Sequence, residues 1–254
     1  MSSPLVSVHV DDLMRRVVLQ REEKGNALVP EMYEQLIEAF PRDPGPRERL
    51  AILTSEGRIF CAGVDLHHLQ ERETAPSPSP FEEVLAAMEA YPLPIVGVVQ
   101  GPAIAGGMQL ALHCDFVIAS DTAPFGMSLA QIGIAPVWRV AKKVVDLAGP
   151  TLAREIFLRG DPVSAARLAE VGAIYRAAPV AELESVTNEL VARLVANAPL
   201  SLRAIKPLLV RLLDGPAAPH ADVDALVQAA RNSADAKEGM AARLEKRAAT
   251  FVGA

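Results

Sequence analysis

The sequence predicts a mixed fold of strands and helices, with strands concentrated in the first half of the chain and helices in the second. Short apolar runs rich in β-branched residues, at 50–54 and 95–99, are typical of buried strands. Beyond residue 133, stretches with helical spacing follow one another and are separated by Gly-Pro and Gly-Asp-Pro breaks. On pattern alone, this separation favours an α+β arrangement.

Composition and charge set limits on the class of protein. The 254 residues are 50% hydrophobic and 22% charged, with a formal net charge of −6. Binding of nucleic acid requires clustered positive charge, so this balance argues against a nucleic-acid partner. Cys61 and Cys114 are too few for a disulfide framework, and no cationic-apolar leader or membrane-length apolar stretch is present. We therefore expect a cytoplasmic protein without a membrane partner.

The first elements follow from alternation and turn residues. Residues 5–20 alternate around an Asp-Asp pair as a β-hairpin does. A turn at 24–27 precedes a helix predicted over 29–40, for which Asn26 is the expected N-cap. The polar segment 71–80, rich in proline and serine, predicts a loop.

The central stretch, residues 94–133, contains the candidate site. A buried strand ends at Gly101-Pro102, Gly106-Gly107 begin a buried helix over 108–112, and a second buried strand follows at 116–119. A glycine pair at a helix start lets the backbone approach a ligand and leaves N–H groups unpaired, which favours negative charge. The alternative is that these glycines serve close packing. A second glycine turn at Gly63, also after a strand, favours a functional site.

The second half of the chain predicts a series of helices. Gly149-Pro150, Gly160-Asp161-Pro162 and Gly172 mark breaks between them. The predicted helices are residues 138–148, 151–158, 164–171, 181–196, 200–213, 221–232 and 235–248.

Several segments resemble the enoyl-CoA hydratase/isomerase family, the crotonase superfamily. The likeness lies in FCAGVDL at 60–66, GPAIAGGMQLAL at 101–112 and CDFVIASDTAPFGMSLAQIGIAP at 114–136, and residues 26–36 and 238–251 resemble the family's first and C-terminal helices. The resemblance implies an α/β fold, a spiral of ββα units. It also implies a core with the acyl-CoA site over 1–198 and an oligomer-forming helical region over 199–254, both in one domain unit. Family members form homotrimers or hexamers that are dimers of trimers.

The resemblance implies a site for an acyl-CoA thioester. The backbone N–H groups of Val64 and Gly106 are expected to form an oxyanion hole for the thioester carbonyl as it becomes an enolate. Coenzyme A is then part of the substrate, with no covalently bound cofactor. The positions that contact CoA in the family are Lys24, Ala62 and Asp65 and, from a neighbouring subunit, Lys246 and Phe251. Each lysine has the alternative of being an ordinary surface charge.

The sequence also departs from the family at its proton-transferring positions. Hydratases of this family use two glutamates, and the matching residues here are Gln109 and Leu129, neither of which exchanges a proton at neutral pH. The family's isomerases keep the second glutamate, and its dienoyl isomerases and dehalogenases add an aspartate where Val137 stands. Leu129, Ile134, Val137 and Trp138 are expected to line an apolar acyl pocket. His113, four residues after Gln109, is interpreted as a buried structural histidine rather than a base.

Other candidate motifs in the sequence do not support a phosphate-binding, metal-binding or serine-hydrolase function. Gly107 and Met108 stand where a phosphate loop requires lysine and serine or threonine. His67 and His68 are adjacent and diverge on a helix, without a third metal ligand at the required spacing. No serine lies in a G-x-S-x-G elbow.

Three hypotheses remain. The first is an acyl-CoA enzyme that stabilises a thioester enolate in a backbone oxyanion hole, with altered proton chemistry. The second is a non-catalytic acyl-CoA-binding pseudoenzyme. The third is a structural or interaction protein that does not bind CoA.

Overall fold

The computed structural model describes residues 4–11, 13–65, 68, 79–132, 134–214 and 221–253. His67 and all but residues 79 and 80 of the predicted loop at 71–80 lie outside the described residues. The predicted hairpin is confirmed: β1 (Val6–Val10) and β2 (Met14–Leu19) are antiparallel.

A large sheet forms the centre of the fold. The strands predicted near 50, 95 and 116 are confirmed as β3 (Leu50–Ser55), β4 (Ile95–Val99) and β6 (Phe116–Ser120). Together with β9 (Arg176–Ala178) they extend the hairpin into the order β1-β2-β3-β4-β6-β9, in which every pair after β1-β2 is parallel. Since parallel strands end at the same edge, the turns after β3 and β4 leave the sheet side by side.

A small second sheet was not predicted. It contains β5 (Ala103–Ile104), β7 (Pro124–Gly126) and β8 (Val163–Ser164), in the order β5-β7-β8. Strands of two or three residues are too short to show a period of two in the sequence. The pairing of β5 with β7 fixes the chain immediately before Gly106.

Helices also accompany the strands of the first half. The helices predicted at 29–40 and 108–112 are confirmed as α1 (Pro30–Ala39) and α3 (Gly106–Leu112). The sequence analysis did not predict α2 (Pro80–Ala90), which starts with a capping box between Ser79 and Glu82. Parallel strands separated by helices make the fold α/β, so the α+β arrangement suggested by pattern alone is corrected.

Asn26 has a different role from the one predicted. The N-cap of α1 is Val29, without a side-chain cap bond, so the prediction of Asn26 as N-cap is wrong. Asn26 is fully buried at φ 54°, where its side chain accepts from Arg21 N–H and donates to the carbonyls of Glu56 and Ile59. Its amide thereby ties the turn after β2 to the turn after β3.

Six of the seven predicted helices of the second half are confirmed, with shifted ends, and the helix predicted at 151–158 is divided between an α-helical stretch and a π-helical turn. Gly149, at φ 73° and ψ 164°, is non-helical, so the predicted break at Gly149-Pro150 is present as a kink that separates residues 138–148 from those after it. A π-helical turn, Glu155–Arg159, follows. None of the helices among the described residues combines the length and hydrophobicity needed to cross a bilayer. These helices are α4 (Trp138–Arg154), α5 (Ala165–Glu170), α6 (Leu183–Val195), α7 (Pro199–Asp214), α8 (Ala221–Asn232) and α9 (Ala234–Glu245).

Both faces of the large sheet are covered at its central strands β3, β4 and β6, which explains why these three strands are apolar without alternation. Ala51 and Leu53 of β3 point into the main core with α1 to α5, whereas Leu50 and Ile52 point to the opposite face. There they pack with Leu190 and other residues of α6.

A buried lysine attaches α7 to the core. Lys206 forms an ion pair with Asp115 at 2.8 Å and donates to the carbonyls of Met88 and Leu93, each at 3.1 Å. Asp115 in turn accepts from the N–H of Ile95. The ammonium group thus joins α7 to the end of α2 and the start of β4.

We predict that Lys206→Met destabilises the protein by about 3 kcal/mol, because it leaves a partly buried carboxylate and two carbonyls without their cation. Urea unfolding followed by circular dichroism measures the change. Lys237→Met, at an exposed position of α9, is the matched control and should change stability by less than about 0.5 kcal/mol. Equal effects of the two variants would contradict the anchoring role.

Candidate active site

The turns that follow β3 and β4 are joined through their main chains. Cys61 N–H donates to the carbonyl of Pro102 at 3.1 Å, and Ile104 N–H donates to the carbonyl of Cys61 at 2.9 Å. Cys61 and Ala103 form a parallel bridge. The backbone of one turn is therefore in register with the backbone of the other.

Gly107 has the packing role that the sequence analysis left open. A Cβ at this position would lie 2.1 Å from the carbonyl oxygen of Cys61, a distance that no side chain can occupy. Gly106 is less crowded, since its Cβ would be 3.3 Å from Leu28 Cδ1 and 3.4 Å from Val64 N. The first turn of α3 thus touches the turn at 61–64 through backbone atoms.

The backbone N–H of Val64 points away from the parallel bridge that Val64 forms with Leu28. In the parallel bridge between Leu28 and Val64, the bonds are Leu28 N–H to Gly63 O at 2.7 Å and Asp65 N–H to Leu28 O at 2.9 Å. Because these bonds use the groups on either side of Val64, its own N–H points to the opposite side. It has no hydrogen-bond partner among the described residues.

The amide of Gly106 is oriented by Ala105, which has the unusual dihedral angles φ 47° and ψ −110°. Ala105 N–H donates to Gly126 O at 2.7 Å, and Ala105 C=O accepts from Gln109 N–H at 3.1 Å. The carbonyl therefore points along α3, and Gly106 N–H, on the other side of the same peptide, points out of the helix start. It too lacks a hydrogen-bond partner within the described chain. Such a conformation costs about 1–3 kcal/mol and is often found at functional sites.

Gln109 lies on the face of α3 that carries Gly106 and is 1% exposed. Neither its Oε1 nor its Nε2 atom has a hydrogen-bond partner among the described residues. Each unsatisfied buried polar group costs about 1–3 kcal/mol. An amide kept in this state is suited to bind a water molecule or a ligand.

His113 follows one turn further along α3. Its Nδ1 lies 2.8 Å from the carbonyl oxygen of Gln109, which can only accept, so Nδ1 carries the hydrogen. Burial, with the nearby charges of Lys143 and Arg139, lowers the pKa of His113 to about 3. The ring is therefore neutral at pH 7, in agreement with a buried structural histidine.

The four residues expected to line an acyl pocket do not enclose one in the single chain. Leu129, in the 3₁₀ turn Ser128–Ile132, is partly buried against the core. Ile134 and Val137 are exposed, and Trp138 is 83% exposed. Within the single chain these three residues form an exposed apolar surface.

The expected CoA contacts fall into two groups. Lys24 and Ala62 are both exposed. Their turns are in contact, since Ala62 N–H donates to Gly25 O at 2.9 Å. Asp65 forms an ion pair with Arg21 at 3.0 Å. Arg21 was not predicted from the sequence, although a cation shortly before the turn at 24–27 was an available signal.

Lys246 and Phe251 lie in the C-terminal region. Lys246 is the exposed C-cap of α9. Phe251 lines a cleft of about 660 Å³ with Ser201, Gly239 and Met240. A second cleft, of about 420 Å³, is lined by Arg58, Gln100 and Thr122 among others. Neither of these two clefts includes Val64 or Gly106.

Metal and thiol chemistry find no support in the described part of the chain. No three of its His, Cys, Asp or Glu side chains are grouped to hold a metal ion. Cys61 and Cys114 are free and buried. Burial raises the pKa of Cys61 to about 12 and also raises the pKa of Cys114, so both thiols stay protonated at neutral pH.

Fold and site together define an α/β protein in which two glycine turns present backbone amides beside a buried polar helix face. The enoyl-CoA hydratase/isomerase family model matches residues 13–254, and the chain belongs to this family. It is 34% identical over 245 residues to a putative enoyl-CoA hydratase of Thermus thermophilus, covering 92% of this chain and 96% of the relative. It is 31% identical over 254 residues to the probable enoyl-CoA hydratase echA6 of Mycobacterium bovis, covering 98% and 100%.

Solved structures confirm the crotonase-like fold. An enoyl-CoA hydratase/carnithine racemase from Magnetospirillum magneticum superposes with a TM-score of 0.91 at 24% identity, covering 100% of this chain and 97% of the other. An enoyl-CoA hydratase from Mycobacterium tuberculosis superposes with a TM-score of 0.86 at 26% identity, covering 99% and 100%. The α/β class and the family predicted from the sequence are thus both confirmed.

We predict different outcomes for alanine at the two glycines of α3. Gly107→Ala should prevent stable folding, because the added methyl group collides with the Cys61 carbonyl. Gly106→Ala should fold with a similar melting temperature but bind butyryl-CoA at least about tenfold more weakly, because the methyl group enters the space beside Val64 N–H. Thermal unfolding and calorimetry measure the two effects. If Gly106→Ala binds as the wild type does, the space between the two turns is not a ligand site.

Proposed function

We propose that this protein is an acyl-CoA enzyme of the hydratase/isomerase type that stabilises a thioester enolate between the backbone amides of Val64 and Gly106. The observation that supports this most directly is that both amides lack a partner among the described residues while their turns are in backbone contact. Two converging donors stabilise a developing oxyanion more than the ground-state carbonyl. One such donor typically contributes about 3–4 kcal/mol to the transition state.

The proton chemistry of the proposed reaction differs from the two-glutamate pattern. Gln109 and Leu129 cannot accept or release a proton at neutral pH. A general acid or base typically contributes about 10²- to 10⁴-fold. We therefore expect ordinary hydration of an enoyl-CoA to be slow, and protons to be supplied by the substrate or by another group of the protein.

The proposal includes a binding mode for the CoA portion. Lys24, Ala62 and Asp65, on the turns at 24–27 and 61–65, would receive the phosphates and the adenosine. Lys246 and Phe251 would come from a neighbouring subunit of a homotrimer or hexamer. An exposed apolar face of α7, with Ile205, Leu209, Leu212 and Leu213, supports such an association. We also retain the proposed cytoplasmic location and the division into 1–198 and 199–254 within one domain unit.

A non-catalytic acyl-CoA-binding protein is the second candidate. It is favoured by the same substitutions, because Gln109 and Leu129 remove both carboxylates while leaving the two turns intact. Both candidates bind acyl-CoA thioesters, but only the first converts them to products.

We predict that the wild type binds acetyl-CoA with at least micromolar affinity and turns over at least one of crotonyl-CoA, a 3-enoyl-CoA or a malonyl-type thioester. Calorimetry and a spectrophotometric assay provide the measurements. Tight binding without turnover of any of the three would favour the second candidate. Absence of binding would contradict both.

We further predict that Gln109→Glu combined with Leu129→Glu raises crotonyl-CoA hydration at least about 100-fold, because the double variant restores two groups that exchange protons. Gln109→Glu with Leu129→Gln is the matched control, which restores one carboxylate and should gain much less. A double variant that folds, binds CoA thioesters and shows no gain would contradict the proposed geometry.

A further inference from the structure

One face of α3 carries polar atoms that continue beyond the proposed oxyanion site. Gln109 and His113 are 1% and 2% exposed, and the side-chain amide of Gln109 and the Nε2 atom of His113 lack hydrogen-bond partners among the described residues. Opposite His113, at 3.5 Å from Nε2, lies Oε1 of Glu89 on α2. Gly106 and His113 are seven residues, or about 10 Å, apart along the axis of α3, and Glu89 lies against the His113 end of this face.

Because the ring of His113 is neutral, one of its nitrogens is a hydrogen-bond donor and the other is an acceptor. Its Nδ1 hydrogen is held by the Gln109 carbonyl, so Nε2 presents a bare lone pair. Glu89 Oε1 is also an acceptor, and the two atoms cannot bond to each other without a donor between or beside them. A water molecule is the natural donor, because buried polar atoms without protein partners are usually satisfied by water.

The spacing along α3 suits the same interpretation. Residues four apart on a helix have Cβ atoms about 5–6 Å apart. The side chains of Gln109 and His113 therefore leave α3 on the same side, where water can bridge their polar atoms. Gln109 offers one acceptor and two donor hydrogens, so it can hold one water toward Gly106 and another toward His113.

Glu89 ends this path at the protein surface. Its carboxylate contacts Arg139 of α4, lies 3.9 Å from Lys143 Nζ, and its side chain is 20% exposed. The charged and titratable groups that face it are thus Arg139 and Lys143 from α4 and His113 from α3. Glu89 is therefore fixed in place and still reaches solvent with which it can exchange protons.

We propose that Glu89 is the proton donor and acceptor of this site, acting through water held by Gln109 and His113. It thereby replaces the absent glutamates. The inference rests on the proposed function, because it needs a thioester enolate between Val64 and Gly106. For protonation, the O–H bond of the Glu89 acid breaks, each water gains one proton and releases one, and a C–H bond forms at the α-carbon. The negative charge passes from the enolate oxygen to Glu89, which regains a proton from solvent. Deprotonation of the substrate is the reverse.

Exchange of the α-protons of butyryl-CoA in D2O, followed by NMR, tests this path. We expect the wild type to exchange them and Glu89→Gln to exchange them about 100-fold more slowly, with unchanged affinity for butyryl-CoA by calorimetry. His113 is a positioning residue, and His113→Leu should slow exchange about tenfold by removing the acceptor for water.

Two further variants separate proton transfer from structural support. Arg139→Gln breaks the same ion pair but keeps the carboxylate, so exchange should fall by about threefold or less. A purely structural role of Glu89 predicts equal losses in Glu89→Gln and Arg139→Gln. Glu83→Gln, at an exposed position of α2, should exchange as the wild type does.

The outcomes distinguish this inference from the proposed function. Exchange at the wild-type rate in Glu89→Gln overturns the path through Glu89 and leaves the proposed function standing. Equal losses in Glu89→Gln and Arg139→Gln overturn it as well. A wild type that binds butyryl-CoA and exchanges no α-proton overturns both the path and the enolate chemistry.

Discussion

The contact between the peptide groups of Cys61 and of the turn at 102–107 determines the rest of the site. Both polar groups of Cys61 are bonded across the contact, and Gly107 lies so close to its carbonyl that any side chain would separate the turns. The amides of Val64 and Gly106 therefore take their positions from the main chain and from strand order in two sheets. Substitutions at neighbouring side chains can change the chemistry without moving these donors.

The burial of Gln109 follows from the same contact, because the start of α3 is held against the chain at 61–64 and is fully buried. A glutamine amide in such a place would normally find partners within the protein, and this one has none among the described residues. Together with the strained Ala105, it is a local departure from what stability favours, and such departures are expected where a ligand binds. Stability is provided elsewhere, for example by the ion pair that joins Lys206 to Asp115.

The sequence was sufficient for features that depend on local pattern or on long motifs. The hairpin, the three central strands, the later helices and the family were all predictable. Asn26 was misinterpreted because a polar residue before a helix usually caps it, whereas its side-chain amide donates to carbonyls 30 and 33 residues further along the chain. The strands β5, β7 and β8 are too short to show periodicity. Glu89 and Arg139 could not be paired in advance, because only the packing of α2, α3 and α4 brings them to His113.

Replacing carboxylates by neutral groups has opposite effects on charge and on proton transfer. At an effective dielectric constant of about 20, two like unit charges 4 Å apart repel by about 4 kcal/mol. A neutral Gln109 therefore spares an enolate this repulsion but cannot protonate it. In the proposed path Glu89 is compatible with both requirements, because His113, which it faces, is about 10 Å along α3 from Gly106 and the charge of Glu89 is balanced by Arg139 and Lys143. Distance and ion pairing would then keep its field away from the proposed oxyanion, while water on the neutral polar face between them would carry the proton.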